Sequence, residues 1–193
     1  MKHNPLFALA VATLLAACAA PAPPPQLYQL RAAPPLPVVP VPTAQVLQLL
    51  LPVGLPELLE RDALLVPQGQ AGVQALAGHR WAEPLRDAVP RLLRQDLAAL
   101  LGEARVWVAP VPAGVVVTRQ LRVEVLALQV TADRSAVMLQ ARWTLTDPGG
   151  RAAPMVQTEL ITVPSGGGEP DAWVAAHRLA LWRLAERAAQ VSR

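Results

Sequence analysis

The sequence predicts an α+β fold: a single domain with a mixed, mostly antiparallel sheet and two main helices packed on it. Three observations carry this. Two long stretches repeat apolar residues at helical spacing, and three consecutive stretches alternate them at strand spacing. The order along the chain is strands, helix, a run of antiparallel strands, then helix.

The first helical stretch starts at Leu85 and carries Ala88, Val89, Leu92, Leu93, Leu97, Leu100 and Leu101 on one stripe. Glu83 and Pro84 suit its first turn, and Gly102 suits its C-terminal cap. Pro90 interrupts the pattern: either the helix is kinked there or its regular part starts just before it. The second helix spans about residues 170–191, with Trp173, His177, Ala180, Leu181, Leu184, Ala188 and Val191 on its apolar side.

Between the helices lies the clearest β region. Leu121, Val123 and Val125 alternate with Arg122 and Glu124, and residues 126–130 continue with both faces apolar. Val137, Leu139, Ala141, Trp143 and Leu145 alternate with polar or longer residues, and residues 155–163 supply a third strand. Turn sequences at 131–135 and 147–150 make this an antiparallel meander. Ahead of the first helix come a strand at 45–51 ended by Pro52, a one- or two-turn helix at 55–61, and short strands at 63–67 and 72–77. A further strand is expected at 105–110, and there is no internal repeat.

The N-terminus reads as a targeting segment. Met1-Lys2-His3-Asn4 is a short positive region, and residues 5–15 form an apolar run, too short for the ~20 residues of a spanning helix. Leu15-Ala16-Ala17-Cys18 follows, the pattern of a lipobox, in which the Cys thiol takes a diacylglycerol before cleavage. Residues 1–17 are therefore expected to be a lipoprotein signal peptide, and Cys18 the lipid-bearing first residue. An ordinary signal peptide cut at Ala20 is the alternative. Residues 18–43 are a Pro-rich tether with a short strand candidate at 27–30, and residues 44–193 are the folded domain. Residues 19–26 in polyproline II would reach roughly 25 Å.

Cys18 is the only cysteine, which excludes an internal disulfide or a Cys-ligated metal. The net charge is +3, and without the leader 16 Arg stand against 14 Asp and Glu, a net of +2. These arginines are scattered singly, with no stripe interleaved with aromatics, so nucleic acid is not an expected partner.

The residues of an enzyme are sparse. After the leader only His79 and His177 remain, His177 on an apolar helix stripe and His79 in a turn. Ser135, Ser165 and Ser192 lie in a turn, a Gly-rich loop and the C-terminal tail, none in a nucleophile elbow. There is no metal-ligand spacing, and Gly166-Gly167-Gly168 lacks the Lys of a phosphate loop. Glu57 with Glu60 and Glu83 with Asp87 read as solvated first-turn acids. No catalytic residue, metal or cofactor is expected.

One stretch stands out: Arg80-Trp81-Ala82-Glu83-Pro84-Leu85, where a strand end turns into the long helix. Trp81 would staple the helix start to the sheet, and Glu83 would cap it or meet its dipole; an exposed Trp81 would instead be a partner contact. With the lipobox, Tyr28-x-Leu30, Leu51-Pro52, residues 55–61, 97–102 and Ala141-Arg142-Trp143, this stretch resembles the PqiC-like (YmbA-type) ABC-type transport auxiliary lipoproteins. The resemblance covers about residues 27–189. Leu58-Leu59 stands where that family often has an aromatic, and the Pro-rich insertion at 31–43 is longer than usual.

The resemblance implies a non-catalytic lipoprotein of Gram-negative bacteria, anchored by palmitate-type lipid at the outer membrane and facing the periplasm. There such proteins dock an MCE-domain protein of a lipid-transport system, and the resemblance allows a homo-oligomer. Ala19 after the lipidated Cys fits outer-membrane sorting. An outer-membrane assembly or structural lipoprotein, tied to no ABC system, is the alternative.

Overall fold

The computed structural model describes residues 23–69 and 71–192 of the 193-residue chain. The leader, the lipobox Leu15-Ala16-Ala17-Cys18 and Ala19 lie outside the described residues.

The fold is α+β, with the strands divided between two sheets. The smaller sheet has the order β1 (Gln26–Tyr28), β4 (Gly72–Trp81), β3 (Ala63–Gln68). Here β3 and β4 form an antiparallel hairpin, and β1 adds parallel to the end of β4, Tyr28 opposite Trp81. The larger sheet runs β5 (Val106–Trp107), β2 (Leu47–Leu49), β6 (Arg119–Val130), β7 (Ala136–Thr146), β8 (Met155–Pro164). Helix α1 (Leu85–Leu101) packs against α2 (Pro170–Val191), and α2 lies across β6, β7 and β8.

The meander follows its alternation. Leu121, Val123 and Val125 are buried while Arg122 and Glu124 are exposed. A bulge between Val125 and Ala127 then shifts the pairing, so that Leu128 and Val130 become the buried pair. That change of parity is why the sequence looks apolar on both faces there. The β6–β7 turn is fixed by Asp133, which accepts from the Thr131 hydroxyl at 2.6 Å and the Ser135 hydroxyl at 2.6 Å. Those hydrogen bonds hold its carboxyl down at about 2. Arg134 takes a positive φ of 59° in this turn, and its carbonyl accepts from the Trp173 indole at 3.2 Å, pinning the turn to the start of α2.

Other elements depart from their expected bounds. Helix α1 begins at Leu85, after Pro84 rather than including it. Pro84 is extended (ψ 134°), and its carbonyl takes the first helical N–H groups, those of Asp87 and Ala88. The helix runs on through Pro90, and Gly102, at φ 102°, closes it by donating to Ala98 O at 2.8 Å. The expected strand at 105–110 contracts to the two residues of β5, after a 3-10 turn at Glu103–Arg105. Its partner β2 is itself only three residues long, and Pro110 and Pro112 bring no N–H to a ladder. Residues 55–61 hold one 3-10 turn, Glu57–Glu60, behind Pro56.

One buried set joins both sheets and both helices, from Leu30 and Leu47 through Leu92, Leu97, Trp143 and Trp182. At ~2 kcal/mol for each large apolar side chain withdrawn from water, this set is the main source of stability.

Candidate functional site

The stretch singled out in the sequence lies where β4 leaves the small sheet and enters α1. Its six residues are split in their roles. Trp81 is 8% exposed and meets the His177 ring edge to face, the centroids 5.6 Å apart. Its backbone N–H donates to Asp62 O at 2.7 Å, and Ala82 N–H donates to Tyr28 O at 2.8 Å, so β1, β4 and the turn before β3 are tied together. Burial makes Trp81 a structural staple. Arg80 points outward and pairs with Asp62, both side chains more than half exposed. An exposed pair of this kind is worth little.

Glu83 does not cap α1. Its carboxylate reaches Arg91, two turns along the helix, and Pro84 offers no side-chain acceptor to the first N–H groups. Glu83 is thus not the solvated acid its spacing suggested, whereas Glu57 and Glu60 are exposed and have no ion-pair partner among the described residues.

His79 and His177 face different neighbours. His79 stacks on Tyr28 with centroids 5.6 Å apart, and its Nδ1 lies 2.9 Å from the Tyr28 hydroxyl. That hydroxyl also donates to Gln26 Oε1 at 2.9 Å. Partial burial pushes the Tyr28 phenol up, with Asp171 and Glu169 adding to the effect. His177 is buried, and its Nδ1 lies 2.7 Å from Trp173 O, the carbonyl one turn earlier. Desolvation pushes its imidazole down to about 4, against the pull of that carbonyl, so it is neutral at pH 7. Neither histidine has a Ser hydroxyl as hydrogen-bond partner. Ser165 instead donates to Ser135 O or Gly167 O, and Ser192 to Ala188 O. Among the described residues no three His, Asp or Glu side chains gather in a way that would hold a metal ion.

Beside Trp81 and His177 lies a partly enclosed cavity of about 180 Å³, bounded also by Leu59, Val66, Leu128 and Val130. It lies between the β3–β4 hairpin and the Leu128–Val130 end of β6. A separate open groove is lined by Arg86, Asp87, Arg91 and Arg94 of α1 with Leu51, Pro52 and Val108. Helical spacing gathers the three arginines, which had looked scattered in the sequence.

The feature that sequence reasoning missed is an ion pair. Arg178 and Asp96 are both buried, and the pair is bidentate: Nη1 to Oδ2 at 2.8 Å and Nη2 to Oδ1 at 2.6 Å. Burial pushes the Asp96 carboxyl up from its ordinary value, while the guanidinium opposes that rise. The remaining donors of Arg178 hold the Pro-rich segment. Nε donates to Arg31 O at 2.7 Å and Nη2 to Ala33 O at 3.3 Å. Leu30 is buried just before it, Leu36 and Val38 pack against the core, and Val41 N–H donates to Leu100 O at 3.0 Å. A signal for the pair exists in the sequence. Asp96 lies on the stripe of Leu92, Leu93 and Leu100, and Arg178 lies between Val174 and Leu181, so each buried helix face carries one charge, of opposite sign.

Such a body, two helices on a meander with an N-terminal strap, leads to the family comparison. Residues 28–189 match the family model described as the ABC-type transport auxiliary lipoprotein component. The chain belongs to that family. The ABC-type transport auxiliary lipoproteins are membrane-associated, and theirs is not a known enzyme family. Two solved structures share the fold of this auxiliary lipoprotein. One, described only as an uncharacterized protein, superposes with a TM-score of 0.68 at 19% identity, over 88% of this chain and 99% of that chain. The other, protein XCC0632 from Xanthomonas campestris, of the DUF330 family, gives 0.64 at 18% identity, over 85% and 92%. At these identities the likeness is one of fold. No curated protein matches the chain. No helix among the described residues is long and apolar enough to cross a membrane.

Proposed function

We propose that this protein is a docking component of an MCE-domain ABC-type transport system that moves lipid between the inner and outer membranes. The observation that carries the reading is the match to transport auxiliary lipoproteins over residues 28–189. Cys18, behind Leu15, Ala16 and Ala17, would bear the lipid, and Ala19 favours sorting to the outer membrane. The body would then hang into the periplasm, within reach of a partner that crosses it.

The geometry supports a binding role in two ways. The titratable side chains that chemistry would need are occupied with holding the fold: His177 against Trp173 and Trp81, His79 against Tyr28, Asp96 against Arg178. The chain between the anchor and the body is also short, because β1 and Arg178 fasten residues 26–33 to the domain. A domain held close to its membrane suits a receptor better than a freely ranging carrier.

The test is recovery of the partner. The full-length lipoprotein, purified from its own membranes after cross-linking, should bring down an MCE-domain protein, and deleting the gene should disturb outer-membrane lipid asymmetry. Failure to recover an MCE-domain protein, together with lost β-barrel insertion on deletion, would replace this reading with that of an assembly lipoprotein.

A further inference from the structure

Strand β8 ends the larger sheet: β7 lies on one side, and among the described residues no strand lies on the other. Its ten residues pair with β7 in unbroken register, from Ala136 opposite Pro164 to Leu145 opposite Met155. Two hydrogen bonds fix which backbone groups face outward. At the end of the ladder Ser165 N–H donates to Ser135 O at 2.9 Å, and on the other side of β7 Thr131 N–H donates to Ala136 O at 2.9 Å. Antiparallel ladders alternate bonded and non-bonded pairs. Met155, Gln157, Glu159, Ile161 and Val163 therefore turn their N–H and C=O groups to β7. Val156, Thr158, Leu160 and Thr162 turn theirs away from the sheet. Pro164, which has no N–H, falls in the outward set, as this parity requires.

Edge strands are ordinarily blunted by Lys, Pro, a bulge or an inward charge. From Met155 to Val163 there is no Pro, Lys or Arg, and no register shift. Glu159, half-buried on the helix-facing row, is the single charge, and with Pro164 at the strand's end it is all that blunts this edge. On the open row Val156 and Leu160 are 55% and 66% exposed. This is a long, regular, weakly charged strand edge left open to water.

The flank of that edge is basic. Leu179, Arg183 and Arg187, one turn apart on α2, border a groove of about 380 Å³ against residues 160–164. Arg183 bonds Glu186 at 2.8 Å, and Arg187 has no carboxylate partner among the described residues.

We propose that the outer edge of β8 receives an extended segment of a partner protein as an added strand, and that this segment carries Asp or Glu where it passes Arg183 and Arg187. The outward N–H and C=O groups supply the ladder, Val156 and Leu160 receive alternate apolar side chains, and the two guanidinium groups select acidic ones. A second copy of this chain fits less well, since its β8 would bring one carboxylate, Glu159, to two arginines. The inference does not depend on which transport system the protein serves.

The experiment uses the full-length chain in detergent and ten-residue peptides in which Val and Thr alternate with Glu, Lys or Ser. Binding is read by fluorescence anisotropy, and strand addition by amide exchange at residues 156, 158, 160 and 162. The Glu peptide should bind about fivefold tighter than the Ser peptide, the scale of two exposed ion pairs, and should slow exchange at those four amides alone within β8. Arg183→Glu with Arg187→Glu should reverse the preference toward Lys. Leu160→Pro deletes one outward N–H without touching a bond to β7, and should weaken binding about tenfold; an unchanged circular dichroism spectrum shows that it folds. The proposal is overturned if the peptides bind without protecting those amides, if Glu and Lys peptides bind equally, or if no peptide binds. It is also overturned if the four amides are already protected in the free chain in a concentration-dependent way, which would assign the edge to a second copy.

Discussion

Arg178 reaches across from α2 to Asp96 on α1 and, with the same guanidinium, holds the carbonyls of Arg31 and Ala33. Removing Arg178 alone strands a buried carboxylate, and Arg178→Ala should cost about 3–5 kcal/mol in urea unfolding. Replacing both partners with apolar residues of similar volume is a gentler change. Asp96→Leu with Arg178→Met should leave the unfolding free energy of the body within about 2 kcal/mol of wild type. The carbonyls of Arg31 and Ala33 nevertheless lose their donors. Trypsin should then cut after Arg31, which is exposed, about tenfold faster than in wild type. Equal cleavage rates would show that Leu30 and Val41 secure the strap without the arginine.

Trp81→Ala should destabilise the fold by roughly 3 kcal/mol, because the indole is buried against His177 and removing it enlarges the cavity beside both. A melting temperature unchanged by the substitution would move Trp81 from the fold to a partner contact.

His177 makes stability depend on pH. Its imidazole is held at about 4 in the fold, against an ordinary value of 6.5. Between those values the unfolded chain binds a proton that the folded chain does not, so stability is full above about pH 6.5 and falls as the pH drops toward 4. The loss should approach roughly 3 kcal/mol. His177→Phe, measured by urea unfolding at several pH values, should flatten this part of the profile. Asp133 acts in a lower window: its contribution is present above the ordinary carboxylate value and disappears as the pH falls through about 2. A wild-type profile that is level from pH 6.5 to 4.5 would contradict the assignment for His177.

Lipidation rests on local chemistry at the N-terminus. Cys18→Ser should abolish labelling by palmitate and leave the precursor uncut by the lipoprotein peptidase. Labelling that persists would mean an ordinary signal peptide and a different anchor.

Pro90 offers a test of how α1 tolerates its interior proline. The helix continues through it, so the carbonyl of Arg86 lacks its usual i+4 donor. Pro90→Ala restores that bond and should raise stability by about 1 kcal/mol, read as a higher melting temperature. A fall would show that the half-buried ring contributes packing that alanine cannot replace.

What the sequence conveyed depended on periodicity. The stripe from Leu85 to Leu101 and the alternation from Leu121 to Leu145 each state which face is buried, and the structure places those faces inward. Elements set by their partners were hard to read. Strand β5 is short because its partner β2 has only three residues and prolines follow it, and β1 exists because Tyr28 lies beside Trp81, fifty-three positions later. Pattern reading also assigns charges to water, which hid Asp96 and Arg178. Glu83 shows the same limit on a smaller scale: its position suggested a cap, but the reach of Arg91 decided its partner.

The fastening of the N-terminal segment has a mechanical consequence. A pull applied from the anchor side enters the domain at β1, so the first load falls on the three-residue ladder between Gln26–Tyr28 and the end of β4. Behind it stand the Leu30 plug and then the Arg178 clasp, each a separate stop. Tension between a membrane and a bound partner would therefore be taken up in stages, first at the rim of the small sheet and only then, through Arg178 and Asp96, by the two helices.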